Sequence, residues 1–263
     1  MIAQKLLVEL EAPPEAGGID GEQLTGRGLL GMFYEVMGHY DEKLASSLHG
    51  NGRPNPFTLT PLFSPLGELE RLQIVSLSAA YEDVFAAAWQ TAVERRLTLN
   101  WGPQTFHARQ VQCEKRVHLG ELATSEPARI VGLNFLSPTA FKAGPETVPL
   151  PLAHSVFRRP FHLWNQQAGQ QPMLQLPESW LDWCQRDVFI YSHDICTKQV
   201  TIHPRQAPMI GFVGEVWFRA HQGSEVQLSI LHALARFAAF SGVGCKTAMG
   251  MGSVDFVAAL NSL

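Results

Sequence analysis

Nowhere in the 263 residues does an apolar run approach the ~18 residues that a membrane-spanning helix requires. A membrane partner is therefore not expected. The amino terminus, MIAQKLLVELEAPPEAG, lacks the basic start and long apolar stretch of a secretory signal and carries acidic residues instead. The expectation is a soluble, cytoplasmic protein. Cysteine is scarce, and Cys113, Cys184, Cys196 and Cys245 form no CxxC and no close Cys/His spacing. That excludes a disulfide framework or a structural zinc site and predicts reduced thiols, mostly buried. Neither do the histidines pair at metal spacing on one helix, so no metal or other cofactor is expected. Basic charge is also wanting: the net charge is −4, which alone speaks mildly against a nucleic-acid partner. The halves differ, however. Residues 1–128 carry 10 Lys/Arg against 16 Asp/Glu, hence −6, and residues 129–263 carry 10 against 8, hence +2. A polyanion would be sought on the C-terminal half.

What is present is 46% hydrophobic residues, enough for one large domain or two of about 130 residues. Ile2 to Leu10 reads as a strand. Leu24 to Met37 has the apolar spacing of an amphipathic helix, with Gly38 as its stop. A short helix follows from Asp41, a candidate N-cap, to His49. After the loop Gly50 to Pro56, strands are expected at Phe57–Phe63 and Arg71–Ser78, a helix at Ala80–Arg95 and an extended run at Gln104–Arg116. A second series begins near Ala128: a strand at Arg129–Ser137, helices at Leu152–Gln167 and Ser179–Gln185, strands at Val188–Ile202 and Met209–Ala220, a helix at Glu225–Phe240 and a last strand at Ser253–Ala259. Each half mixes strands and helices in similar order. The fold class is α+β, two units of a duplicated βαββαβ pattern.

One stretch stands out. FSGVGCKTAMGMGSV, Phe240 to Val254, places Gly242, Gly244, Gly250 and Gly252 around Lys246 and Thr247. Glycines allow positive φ and close approach of backbone N–H groups to a ligand. Successive N–H groups beside a lysine suit a phosphate. A P-loop is excluded, because Lys246-Thr247 follows Gly244 at the wrong distance and the helix precedes the loop. A dinucleotide fingerprint is excluded too, for want of a third glycine opening a helix. Two readings stay open: a phosphate-binding loop, or a tight helix-to-strand turn that packs.

A helix leading into G-x-G-x-K-T-x-x-G-x-G and a terminal strand resembles the C-terminal signature of the CRISPR-associated pre-crRNA processing endoribonucleases of the RAMP superfamily. LASSLHGNGRPNPFTLTPLF (Leu44 to Phe63) resembles that family's N-terminal segment. LNFLSPTAFKAG (Leu133 to Gly144) resembles the strand and proline turn that open its second domain. The resemblance implies two tandem ferredoxin-like (RRM-like) domains, 1–127 with the catalytic histidine and 128–263 with the glycine loop. It implies metal-independent cleavage of CRISPR repeat RNA by its ribose 2′-OH, leaving a 2′,3′-cyclic phosphate and a 5′-OH. An RNA-holding subunit of an effector complex that does not cut, and a homodimer, are the other arrangements it leaves open.

The resemblance sets His49 at the family's catalytic histidine. Its local setting, in the last turn of a short helix, predicts exposure, and a helix C-terminus favours the imidazolium form that suits a general acid. A histidine there can equally be a simple C-cap. Tyr34 matches a family tyrosine that positions the reacting ribose-phosphate, or it is a core aromatic of its helix. The family's lysine is replaced by Asn55, and Arg53 is the cation that could stand in, unless it faces water. His39 is the rival histidine and is expected on the surface. In HSVFRRPFHLW (His154 to Trp164), Arg158 and Arg159 lie among Phe157, Phe161 and Trp164. This suits phosphate contact and base stacking, or else the aromatics form the core face of a helix with solvated arginines. Lys142, Lys198 and Arg205 are further candidates for the RNA path.

Overall fold

The computed structural model describes residues 2–12, 24–50, 55–64, 67, 69–81, 83–169 and 171–258. The chain forms two sheets in succession. The first contains β1 (Ile2–Glu11), β2 (Phe57–Phe63), β3 (Leu69–Ser76), β4 (Leu99–Trp101) and β5 (Gln104–His118), in the order β2-β3-β1-β5-β4. The second contains β6 (Ile130–Thr139), β9 (Val188–Val200), β10 (Met209–Ala220) and β11 (Val254–Val257), in the order β11-β6-β10-β9. A hairpin of β7 (Phe141–Ala143) and β8 (Glu146–Val148) stands apart. All the pairings are antiparallel. In each sheet the first strand of its half lies centrally, beside the third and last main strands, and this is the ferredoxin-like order. The tandem ferredoxin-like expectation therefore holds.

In the first half α1 (Gly26–Tyr40) and α3 (Val84–Glu94) cover one sheet face. Alternation on β1 sends Leu6, Val8 and Leu10 to this face, where they meet Leu29, Phe33, Val36 and Trp89 in one core. Thr25 caps α1, its hydroxyl accepting from the Gly28 N–H at 3.1 Å, a contact worth ~1 kcal/mol. Gly38 does not stop α1, which runs on to Tyr40. A Cβ at Gly38 would lie 4.0 Å from the Cβ of Ala45 on α2 (Glu42–Gly50), so the two helices approach closely there. Asp41 performs the capping expected of it: its carboxylate accepts from the N–H groups of Lys43 (2.9 Å) and Leu44 (3.2 Å).

The opposite face of the first sheet carries Ala3, Val75, Leu77 and Val117, which belong to the core of the second half. That core is closed by α5 (Ala153–Ala168), α6 (Ser179–Asp187) and α7 (Glu225–Ser241), with α4 (Leu119–Ala123) joining the two halves. Ser224 and Gln227 form a full capping box at the start of α7. The thiols depart from expectation. Cys113 and Cys196 are exposed because they point outward from long strands, and Cys184 alone is fully buried, its pKa pushed up to about 12 by that burial. No helix among the described residues is long and apolar enough to cross a membrane.

Candidate active site

Tyr34 and His49 come together from different helices. The nine-residue α2 folds back on α1, with Leu48 buried and His49 exposed in its last turn. The Tyr34 and His49 rings meet edge to face, with centroids 5.1 Å apart and planes at 77°. The Tyr34 hydroxyl donates to the Leu48 carbonyl at 3.4 Å. Burial raises the Tyr34 pKa, so the phenol is a proton donor and not a phenolate at neutral pH. Its ring also leans on Phe33 and Phe57. Tyr34 therefore packs into the core on one side, as the second sequence reading expects, and meets the His49 ring on the other. His39 lies in the last turn of α1 and is exposed, as expected. Arg53 lies outside the described residues.

Later in the same loop, Asn55 enters a cleft of about 370 Å³ that it shares with Lys142, Arg159 and the segment Gly244 to Met249. Among the described residues three cations face this space and no carboxylate does. Here the glycine loop divides its labour. Gly242, Gly244, Gly250 and Gly252 all have positive φ, and so does Lys246 at 59°. A Cβ on Gly252 would run into the Val243 carbonyl, one on Gly244 would lie 2.5 Å from the Ala140 carbonyl oxygen, and one on Gly250 would press Pro61 at 3.3 Å. The loop amides are largely committed inside the fold. Val243 donates to Gly252 (2.8 Å), Cys245 to Ala140 (3.0 Å), Met249 to Lys246 (2.8 Å) and Gly252 to Pro138 (3.2 Å). These glycines answer to packing first. Of the predicted loop residues, Gly244, Lys246 and Thr247 line the cleft, whereas Gly242 and Gly252 line the seam against Thr58, Thr60 and Gln73.

The loop also plugs the other half. Ala248, 3% exposed, sits in the core of the first half, and a Cβ on Gly26 would lie 2.6 Å from the Met249 carbonyl oxygen. The Gly26 and Arg27 N–H groups at the start of α1 donate to the Thr201 and Ile202 carbonyls at 3.0 and 2.9 Å, just beyond β9. These contacts hold the cleft's two walls together.

On α5 the aromatics Phe157, Phe161 and Trp164 are all buried, at 0%, 0% and 1% exposure. They are core, so base stacking on them is ruled out. The adjacent arginines part ways, because one helical step turns a side chain by about 100°. Arg158 faces out. Arg159 turns to the cleft, its Nε donating to the Ser241 carbonyl at 3.1 Å. Burial pulls its pKa down to about 10, which leaves it charged at neutral pH. Its inward turn, and the arrival of Lys142 on β7, were not legible in the sequence as parts of one site. Lys198 and Arg205 are exposed on and after β9 and line neither cavity described here. Among the described residues no three His, Cys, Asp or Glu side chains are grouped to hold a metal ion.

Two ferredoxin-like units with a cationic cleft at their junction define the class: a RAMP-type fold. A family model described as CRISPR-associated endoribonuclease Cas6 matches residues 133–254. A curated CRISPR-associated endoribonuclease Cas6 from Streptococcus thermophilus is 27% identical over 120 residues, 46% of this chain and 47% of that protein. The sequence match therefore spans about half the length of that relative. A solved Cas6 product complex superposes with a TM-score of 0.80 at 23% identity, over 97% of this chain and 99% of that one. Thermus thermophilus Cas6 superposes at 0.72 and 21%, over 97% and 98%. A RAMP protein binding different RNA substrates follows at 0.59 and 16%, over 97% and 100%. The second half of the chain is thus similar in sequence to the Cas6 family, and the whole chain is similar in fold to solved Cas6 structures.

Proposed function

We propose that the chain is an endoribonuclease that cleaves CRISPR repeat RNA without a metal, through units 1–127 and 128–263. The ribose 2′-OH gives up its proton to water as its oxygen attacks the adjacent phosphorus, the P–O5′ bond breaks, and the products carry a 2′,3′-cyclic phosphate and a 5′-OH. His49 transfers a proton in this step. Exposed in the last turn of α2, it donates a proton to the departing 5′-oxygen. Tyr34 holds the end of α2 and the imidazole face, and Arg53 supplies charge from the intervening loop. Lys246, with Gly244 and Thr247, grips the RNA backbone across the cleft, assisted by Arg158 and Arg159, and Gly242, Gly250 and Gly252 give that loop its shape. The observation that carries the reading is the pairing of Tyr34 with an exposed His49 in a fold that also holds a cleft lined, among the described residues, by three cations and no carboxylate. Repeat RNA as partner draws support from the Cas6 product complex that shares the fold.

One observation favours a second reading. Asn55 stands in the cleft where the resemblance puts a lysine, which fits a subunit that holds crRNA in an effector complex without cutting. A gel assay in EDTA separates the two. It compares wild type with His49→Ala on the repeat RNA and on a copy with 2′-deoxy at the cut site. Cutting by wild type alone, abolished by 2′-deoxy, is expected. Binding by wild type without any cutting selects the holding subunit.

A further inference from the structure

The wall of the cleft opens on its far side into a second chamber of about 620 Å³, inside the ~300–1,000 Å³ range of small-molecule sites. Lys142, Arg159, Gly244 and Cys245 line both spaces. The chamber adds the apolar surfaces of Phe141 and Leu163, and the polar groups of Ser155, Arg158 and His162. Again the lining has, among the described residues, cations and no carboxylate, so an anion is called for. Phe141 and Leu163 are buried at 6% and 1% exposure, so they close the floor of the chamber and leave its polar rim to meet a ligand. The hydroxyl of Ser155 and the imidazole of His162 offer hydrogen bonds to the edge of a planar ring.

Arg159 decides the matter. Its Nε is satisfied by the Ser241 carbonyl, but its Nη2 is sealed from solvent and has no hydrogen-bond partner. A half-buried cation with an unmet donor and no counter-ion among the described residues is costly for a fold, and a bound phosphate removes that cost by a charge-assisted bond. We propose that this chamber takes one unstacked nucleotide of the RNA strand, its phosphate on Arg159 and Lys142 and its base edge on Ser155 and His162. The proposal rests on the reading above that the chain binds repeat RNA. The strand runs along the cleft past Asn55 and turns one nucleotide through the gap at Gly244, where a side chain would meet Ala140 and Phe141.

The test is an abasic scan of the repeat RNA, read by fluorescence anisotropy. With wild type, removal of one particular base should weaken binding about tenfold, the scale of one or two hydrogen bonds to its edge. Ser155→Phe, which fills the chamber, should bind intact RNA about tenfold more weakly and should be indifferent to the loss of that base. His162→Trp, at an exposed position of α5, is the second blocking variant and serves if Ser155→Phe does not fold. Tight binding by wild type with no base whose removal couples to either variant overturns the nucleotide chamber and leaves the proposed function standing. No binding of repeat RNA by wild type overturns both.

Discussion

The glycine loop and the histidine helix are built on opposite terms. The glycine loop is locked into the fold: its amides are largely bonded inside the protein, its glycines lie against carbonyls, and its Ala248 is part of the other half's core. The end of α2 is an outpost. His49 hangs exposed at the end of a nine-residue helix, beside a ring contact and one long hydrogen bond from Tyr34 to the neighbouring carbonyl. The proposed function would place grip on the locked backbone and proton transfer on the exposed side chain. The same substitution chemistry should therefore have opposite signatures in the two regions.

The sharpest contrast is His49→Ala. Cleavage should fall by ~10²–10⁴ in single-turnover assays, with the urea midpoint shifted by less than about 0.5 kcal/mol because the side chain is exposed. A collapse in stability would break the comparison. Gly252→Ala should do the reverse. It forces a side chain into the left-handed region and against the Val243 carbonyl, so about 2–4 kcal/mol should be lost on chemical denaturation. Any lost activity should follow the unfolded fraction. Lys246→Ala should weaken RNA binding about tenfold and reduce the slope of log affinity against log salt by about 0.7. An unchanged slope would remove Lys246 from the phosphate path. The smallest effect belongs to Tyr34→Phe, which deletes only the hydroxyl to Leu48. A loss of about 1 kcal/mol in stability and a few-fold in cleavage rate is expected. If cleavage fell a hundredfold, the hydroxyl would be touching the substrate and not merely holding the helix.

The regular parts of this fold were legible because their signals are local. Phe57–Phe63 and Met209–Ala220 alternate with strong β-formers and appear at the expected bounds. Asp41 announces α2 by a cap that the structure shows. Gly38 misled because a glycine inside a helix costs only about 1 kcal/mol, too little to end α1 while its buried face, with Val36 and Met37 in the core, holds the last turn in place. The hairpin of β7 and β8 has three residues per strand, too few for any period to register. The site was legible only in part. A motif can mark the glycine loop, but it cannot tell that most of its glycines answer to packing. Nor can composition distinguish Arg158 from Arg159, since their difference is a rotation about α5 against surfaces supplied by Ser241 and β7.

Ala248 belongs to a core whose other members all lie between Leu6 and Ala108. Gly250 presses on Pro61 and Leu29 in the same half. During synthesis on the ribosome, the first ferredoxin-like unit therefore emerges with a hole in it and waits for residues 242–252 to be made. A chain that stalls before that loop has neither a finished first core nor an anchor for the carbonyls that cap α1. The order of translation thus leaves the first core to be closed by the last part of the chain to be made.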